Sequence, residues 1–213
     1  MTTQNTKNVS KIRTMDLKGK KIILASGSPR RRELLTGLNI DFEVDTKNNF
    51  EERYSPETPH QDIPAILAEG KSFGFHRALE DDEILITSDT IVLCPDAGSP
   101  FGSIVMGKPH SREESVQMLR LLSGKTHQVI TAVTVRTTAG HKTRKDVSEV
   151  HFKDLTDNEI DWYIDNCKPF DKAGGYGIQE WIGYIGIDRI EGSFYTIMGF
   201  PVHLVYEMIN GVL

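Results

Sequence analysis

The stretch Ile22–Leu38, IILASGSPRRRELLTGL, joins an apolar run to a leucine-rich segment through a Gly-Ser-Pro turn. The apolar run predicts a buried strand, and the leucine spacing predicts a helix over residues 30–38. Ser28 is suited to cap this helix and Pro29 to be its first residue. The stretch therefore predicts a strand, a turn and a helix in succession, which is the repeating unit of α/β folds.

Three arginines, Arg30, Arg31 and Arg32, follow the turn directly. Cations at the start of a helix are unfavourable by roughly 0.3–1 kcal/mol each, because the positive end of the helix dipole lies there. The same end binds phosphate through its unpaired backbone N–H groups, and arginines add bidentate contacts to phosphate oxygens. We interpret the stretch as a phosphate site; the alternative is a solvated helix start with surface arginines.

The remaining pattern alternates between helical and extended segments. Helical spacing or capping predicts helices over residues 62–79, 111–122, 156–164 and from 201 onward. β-rich runs predict strands over residues 40–44, 83–94, 126–137, 146–152 and 181–190, with a turn over 95–103 and a glycine-rich loop over 168–179. We expect an α/β fold on one twisted sheet, with residues 1–18 as a flexible tail and residues 19–213 as a single domain.

Composition limits the classes of function. The formal net charge is -5, whereas a general nucleic-acid binder normally carries an excess of basic residues. The two cysteines cannot form a disulfide framework, and no apolar run is long enough to span a bilayer. We therefore expect a soluble cytoplasmic protein that binds a small anion rather than a nucleic acid or a membrane.

Further polar residues stand where a cleft could use them. Asp89 interrupts the apolar strand LITSDTIVL, and a carboxylate buried there needs a cationic partner or a place on a cleft floor. Lys71 and Lys108 are candidate cations, although each alone would be read as a surface lysine. Gln179 ends the glycine-rich loop KPFDKAGGYGIQ, whose glycines allow close approach of the backbone to a ligand.

In this order along the chain, these pieces resemble the Maf-like family of nucleoside triphosphate pyrophosphatases. The matching segments are LASGSPRRRELL, FEERY, LAEGKS, SDTIV, GKP, MLRLLSGKTHQV, KPFDKAGGYGIQ and RIEGSFYTIMGFPV. The resemblance covers nearly the whole chain after Lys20, and the collinear order is far more specific than any single segment. The loop DKAGGYGIQ is similar to the branch of the family that acts on dTTP and UTP.

The resemblance implies a fold and an activity. The fold would be a twisted mixed sheet flanked by helices, with two lobes around a central cleft, similar to inosine-triphosphate pyrophosphatase. The activity would be hydrolysis between the α- and β-phosphates of a nucleoside triphosphate, with Mg²⁺ or Mn²⁺ as the divalent cation and housecleaning of the nucleotide pool as its purpose. The substrate would be dTTP and UTP or, as an alternative, a modified pyrimidine nucleotide. A homodimer is also expected from the family.

The resemblance also implies site residues, by position. Substrate binding falls to Ser26, Arg30, Arg31, Lys71 and Gln179, and catalysis to Asp89, Glu52 and Lys108. Asp89 and Glu52 are the expected metal ligands, and Gln179 is expected to pair with the edge of uracil or thymine.

The expected mechanism leaves two questions open. We expect Asp89 to orient or deprotonate the attacking water, Glu52 to hold the metal, and pyrophosphate to leave toward Lys108 and Arg31. The roles of Asp89 and Glu52 could be exchanged, and Glu51 could replace Glu52 as the loop carboxylate. An alternative function is that of a nucleotide-binding regulator of cell division that does not cleave its ligand.

Overall fold

The computed structural model describes residues 15–213. Its centre is one seven-stranded sheet of mixed direction. The strands are β1 (Lys21–Leu24), β2 (Phe42–Val44), β3 (Glu83–Pro95), β4 (Ser103–Met106), β5 (Thr126–Thr137), β6 (Gly140–Phe152) and β7 (Ile187–Glu191). The order is β2-β1-β3-β5-β6-β7, and β4 pairs with β3 outside this path.

The long strand β3 has two different partners along one of its edges. β1 runs parallel to its first half and pairs with residues 83–86, whereas β4 runs antiparallel to its second half and pairs with residues 92–95. On the other edge β5 pairs with β3 continuously over residues 85–93. The sheet is therefore interrupted on one side of Ser88, Asp89 and Thr90, between the end of β1 and the end of β4.

Helices cover both faces of the sheet. They are α1 (Pro29–Gly37), α2 (Ile63–Phe73), α3 (Arg112–Leu122), α4 (Asp157–Cys167), α5 (Trp181–Gly186), α6 (Phe194–Ile197) and α7 (Val202–Asn210), with 3-10 turns at His60–Asp62 and Ala173–Gly175. Ile130 of β5 packs in a cluster with α2, and Val133 packs in a cluster with α7. Because successive side chains of a strand point to opposite faces, α2 and α7 lie on opposite sides of the sheet.

The apolar core is divided into two large clusters. One joins β1, α1 and α7, and the other joins α3, α4, the second half of β3 and the end of β6. Leu34 of α1 packs against both clusters. The predicted α/β architecture, with a mixed sheet, flanking helices and two lobes, is confirmed.

Most predicted elements are present, and the structure differs from the prediction in several places. Strand β4 begins at the last residue of the predicted turn over 95–103 and was not predicted, and neither was α6. Strand β6 begins at Gly140 rather than at residue 146, because only two residues separate it from β5. Helix α2 ends at Phe73 rather than near residue 79. Gly74 is its C-cap, and the next residue, Phe75, forms a β-bridge with Asn48.

The strand predicted over residues 181–190 is wrong in its first half, which forms α5. Residues such as Trp181 and Ile182 favour strands, but tertiary packing overrides that weak preference. Ile182 is fully buried, and Gly183 packs so closely that a Cβ atom there would lie 1.8 Å from the Ile178 carbonyl oxygen. The helical turn of α5 places Gly183 at this short distance from the carbonyl group.

The predicted tail over residues 1–18 falls mostly on residues 1–14, which lie outside the described residues. At its end, Met15 is buried and packs with the cluster around β1 and α7, and Leu17 packs against the same cluster. The described part of this segment is therefore attached to the core.

Candidate active site

A cleft opens at the interruption of the sheet beside β3. Its volume is about 770 Å³, and its walls are the loop after β1, the segment after β4, the acidic loop around Glu52 and the glycine-rich loop. All eight predicted site residues line it: Ser26, Arg30, Arg31, Glu52, Lys71, Asp89, Lys108 and Gln179. Residues distant in the sequence are thus brought to one cleft.

The start of α1 has the predicted local geometry. Ser28 is the N-cap, its hydroxyl oxygen accepts a hydrogen bond from the Arg31 N–H at 3.5 Å, and Pro29 is the first helical residue. The Ser26 hydroxyl oxygen accepts from the Ser28 N–H at 3.2 Å. These bonds shape the turn so that the beginning of the helix borders the cleft.

Arg31 is fixed by the protein itself. Its Nε donates to the Gly199 carbonyl at 2.9 Å and its Nη1 donates to the Ser88 carbonyl at 2.7 Å. Nη1 also reaches the Ser26 hydroxyl at 3.4 Å, and Nη2 donates to the Thr90 hydroxyl at 3.2 Å. Burial lowers the pKa of Arg31 from its ordinary value. A rigid cation therefore lies at the cleft, with few donors left for a ligand.

The other two arginines of the run differ from Arg31. Arg30 Nη1 donates to Asp171 Oδ2 at 2.6 Å and Nη2 donates to the Asp171 carbonyl at 3.2 Å, so this side chain crosses to the glycine-rich loop. Arg32 is exposed and does not line the cleft. Two of the three cations that the sequence placed at the helix start therefore face the site.

Lys71 joins two carboxylates at the cleft floor. Its Nζ lies 2.5 Å from Asp89 Oδ1 and 2.8 Å from Glu52 Oε1. Asp89 pairs with Ala132 of β5 and shares the face of Ile91, which packs with α2, and Lys71 is in the last turn of α2. The polar insertion in β3 is thus matched by a cation from the helix that covers it.

The two carboxylates have opposite environments. Burial raises the pKa of Asp89 above its ordinary value, although Lys71 and Arg31 act in the opposite direction. Burial also acts to raise the pKa of Glu52, but the hydrogen bond and charge of Lys71, with the charges of Lys108 and Arg31, outweigh it and lower the pKa. Asp89 is therefore the stronger base of the pair.

The loop carboxylate at the cleft is Glu52. The neighbouring Glu51 forms an exposed ion pair with Arg53 at 2.5 Å and does not line the cleft. Lys108 is exposed and lies in the segment after β4, which forms another wall of the cleft. After the hydrogen bond and charge of Lys71, the charge of Lys108 also acts to lower the pKa of Glu52.

Gln179 lies at the glycine-rich end of the cleft. Its Oε1 atom is buried and has no hydrogen-bond partner among the described residues. Tyr176 of the same loop lines the cleft and is held from behind by His127, whose Nε2 lies 2.7 Å from the tyrosine oxygen. Burial lowers the pKa of His127 to about 3, so this histidine is a neutral structural residue.

A divalent cation fits the donor set. Asp89 and Glu52 already converge on one ammonium group, and each has a second carboxylate oxygen to offer. Among residues 15–213 no group of three or more His, Cys, Asp or Glu side chains could hold a metal ion. Two carboxylates completed by substrate phosphates and water are the usual ligand set of Mg²⁺ at phosphate sites.

Sequence reasoning missed several residues of the cleft. Thr90 was seen only as a neighbour of Asp89, yet its hydroxyl oxygen accepts from Arg31. Asp171 and Lys172 were noticed in the glycine-rich loop but given no role, and both line the cleft. Thr90 directly follows Asp89 in the polar interruption of β3, and this position is the signal that could have found it.

Comparison with known proteins decides the family. The family model described as Maf-like protein matches residues 21–212. This chain belongs to the Maf-like family. Its relatives include proteins named dTTP/UTP pyrophosphatase from Parabacteroides distasonis and Flavobacterium johnsoniae. The first is 49% identical over 192 residues, which cover 90% of this chain and 96% of the relative. The second is 45% identical over 194 residues, which cover 91% and 96%.

Solved structures resemble this Maf-like protein only distantly. The Ham1 proteins of Staphylococcus aureus and Coxiella burnetii align with TM-scores of 0.39 and 0.38 at 15% and 17% identity. The alignments cover 62% of this chain and 72% and 73% of theirs. Within residues 15–213 of the Maf-like protein, no helix is both long and apolar enough to cross a membrane.

Proposed function

We propose that this protein hydrolyses nucleoside triphosphates, with dTTP and UTP as its substrates, to the monophosphate and pyrophosphate. The observation that carries the proposal is the cleft in which Arg30, Arg31, Lys71 and Lys108 surround two carboxylates, with an amide side chain at the far end. Cations of this number suit a polyphosphate, and the carboxylates suit metal and water chemistry. The substrate is a free nucleotide and not a nucleic acid.

The names of the relatives support the same activity. Proteins 42–49% identical to this chain over most of its length are named dTTP/UTP pyrophosphatase. A regulator that binds nucleotides without cleaving them is not favoured by these names. We place the reaction in the cytoplasm, where it would remove unwanted pyrimidine nucleotides from the pool.

The phosphate chain is proposed to lie along the cationic wall of the cleft. The start of α1 offers backbone N–H groups and the helix dipole, and Arg30 borders it. Lys108, on the wall after β4, would neutralise the departing pyrophosphate together with the remaining donor capacity of Arg31. Because these groups hold charge before substrate arrives, they stabilise developing negative charge without rearrangement.

The two carboxylates are proposed to divide the chemistry. The raised pKa of Asp89 makes it the better acceptor of the proton from the water that attacks the α-phosphorus. Glu52, whose pKa is lowered, stays charged and would hold the cation. A divalent cation held by Glu52 and Asp89, either Mg²⁺ or Mn²⁺, would supply charge neutralisation of the phosphate oxygens when bound.

Gln179 is proposed to recognise the base. A glutamine amide presents one donor and one acceptor, which match the adjacent carbonyl and N–H groups of uracil and thymine. Its buried and unpartnered Oε1 atom shows that this side chain has hydrogen-bonding capacity that the described residues do not satisfy. Wild-type protein that turned over purine and pyrimidine triphosphates equally would contradict this assignment.

The direct test is hydrolysis of dTTP and UTP in water enriched in oxygen-18, with Mg²⁺ present. Attack at the α-phosphorus predicts one labelled oxygen in the monophosphate and unlabelled pyrophosphate. Label in pyrophosphate or release of orthophosphate would show attack elsewhere. Recovery of intact nucleotide after binding would favour the regulator instead.

We further propose that the protein forms a homodimer, as its family resemblance implies. A solution mass near twice the 23.9 kDa of the chain would support this assembly. A mass equal to that of one chain at all concentrations used for activity would contradict it.

A further inference from the structure

A chain of four alternating charges connects the two ends of the cleft. Arg30, at the start of α1, donates to the Asp171 carboxylate at 2.6 Å, and Lys172 Nζ lies 2.7 Å from the other oxygen of that carboxylate. The same Nζ lies 2.9 Å from Glu180 Oε1. Each charge thus contacts one of opposite sign, in an unbroken series from Arg30 to Glu180.

The far end of this chain is fixed in the core. The Tyr163 hydroxyl donates to Glu180 Oε2 and its oxygen accepts from the Gly177 N–H at 3.0 Å. Tyr163 is fully buried, and Lys172 is 7% exposed. Gly177 sits where these groups meet: a Cβ atom there would lie 3.0 Å from Lys172 Cε and 3.1 Å from Gln179 Nε2. The backbone around Gln179 is therefore held by the same contacts that hold Lys172.

Asp171 is the most exposed of the four charged residues. Its side chain is 53% exposed, while those of Arg30 and Lys172 are 19% and 8% exposed. Burial acts to raise the pKa of Asp171, but hydrogen bonds from Lys172 and Arg30 outweigh it and lower the pKa to about 2. The carboxylate is ionised at neutral pH and competes for Arg30 with any anion that enters the cleft.

We propose that Asp171 is a positioning residue that couples occupancy of the phosphate end of the cleft to base recognition at Gln179. This proposal rests on the proposed function, which identifies one end of the cleft with phosphate binding and the other with base recognition. When a phosphate group takes Arg30, Asp171 keeps Lys172 as its main partner, and the Asp171–Lys172 contact strengthens. The segment from Lys172 to Gln179 is then held more firmly, so the base binds more tightly.

Two separate ligands, one for each end of the cleft, test this coupling. Pyrophosphate occupies the phosphate end, and thymidine, which carries no phosphate, reports on the base end. The Kd of thymidine is measured by NMR titration with and without saturating pyrophosphate and Mg²⁺. Couplings between sites typically amount to 5–150-fold, and we expect thymidine to bind about fivefold more tightly when pyrophosphate is present.

The variant Asp171→Asn removes the competing charge. We expect its thymidine Kd to be nearly independent of pyrophosphate, and pyrophosphate itself to bind more tightly than to wild type, because a negative charge has left the rim. If the substitution instead loosened the loop, thymidine and pyrophosphate would both bind more weakly than to wild type. Asp171→Glu keeps the charge and is expected to retain the coupling.

Asp165→Asn is the matched control, since Asp165 accepts from Arg112 at 2.8 Å in an ion pair outside the cleft. It should keep the wild-type coupling. Pyrophosphate without effect on thymidine in wild type, or unchanged coupling in Asp171→Asn, would overturn the proposal. Coupled binding without any hydrolysis of dTTP would leave the coupling standing and overturn the proposed function.

Discussion

The middle of strand β3 and the loop around Glu52 each bring one carboxylate to the same lysine, yet the two regions differ in almost every other respect. Asp89 lies in the sheet, bonded through its strand to β5, and its side chain is 11% exposed. Glu52 lies in a loop without helix or strand, and its side chain is 58% exposed. Their pKa values move in opposite directions as a result.

We infer from this difference that environment, and not residue type, assigns the proposed roles of the two carboxylates. A buried carboxylate has a raised pKa and a fixed position, which suit the transfer of a proton to a defined place. An exposed carboxylate on a loop keeps its charge and can adjust its position, which suits a cation that arrives with substrate. Lys71 contacts both carboxylates, and its single charge is shared between them.

The largest effect is expected from Asp89→Asn. The amide still accepts the hydrogen bond from Lys71, but it cannot take a proton from water. We expect kcat for dTTP to fall by about 10²–10⁴-fold, the usual contribution of a general base. Near-normal turnover with unchanged substrate binding would show that Asp89 is not the base.

Lys71→Met should separate the two regions through stability. It leaves Asp89 buried beside β5 without its closest cation, whereas Glu52 can turn into solvent. Breaking one partner of a buried ion pair costs about 3–5 kcal/mol, and because Lys71 is partly exposed we expect the lower end for the free energy of unfolding at neutral pH.

Unfolding in urea measures this free energy, and the double variant Lys71→Met with Asp89→Asn is the control. It should recover much of the lost stability, because the unpaired charge is gone. A double variant with Glu52→Gln in place of Asp89→Asn should recover none. Equal recovery in both would mean that the two carboxylates are equally buried in solution.

Glu52→Gln is expected to have a smaller effect, which acts through the cation. The half-maximal concentration of Mg²⁺ should rise by about tenfold, within the range known for groups that support a metal site. Glu51→Gln is a closely matched control, because Glu51 is adjacent in sequence and pairs with Arg53 away from the cleft. Equal shifts for both variants would contradict the assignment of Glu52.

The smallest effect is a difference in how stability depends on pH. The folded-state pKa of Asp89 is above 3.8, so its ionisation destabilises the fold as pH rises through that pKa. The folded-state pKa of Glu52 is below 4.5, so its contribution is present above pH 4.5 and lost as pH falls through the folded value.

The free energy of unfolding of Asp89→Asn, relative to that of wild type, should therefore rise with pH. That of Glu52→Gln, relative to wild type, should fall. Urea unfolding between about pH 3 and pH 7 measures both. If the stability difference from wild type changed with pH in the same direction for both variants, the two environments would not differ as described.

The sequence alone predicted local features well and distant packing poorly. The strand, turn and helix of Ile22–Leu38 were predicted with their cap, because Ser28, Pro29 and the leucine spacing act within a few residues. The helix predicted from residue 156 was confirmed for the same reason, because Thr156 and Glu159 form a capping box at its start. The helix over Trp181–Gly186 was missed, since Ile182 is buried in a core cluster assembled from segments far apart in the chain.

The site shows the same division. Family resemblance named eight residues that line the cleft, and Asp89 could be singled out by its place in an apolar strand. No sequence pattern shows that β3 changes partner from β1 to β4, although that change opens the cleft. Nor could sequence show that Arg31 is occupied by Gly199 and Ser88, because those contacts join segments far apart in the chain.

The most direct test of the division between the two carboxylates is rescue by the cation. The kcat for dTTP is measured for Asp89→Asn and Glu52→Gln over rising concentrations of Mg²⁺ and Mn²⁺. We predict that saturating cation returns Glu52→Gln toward the wild-type kcat and leaves Asp89→Asn inactive. Recovery of Asp89→Asn with Glu52→Gln still inactive would contradict the account and exchange the two roles.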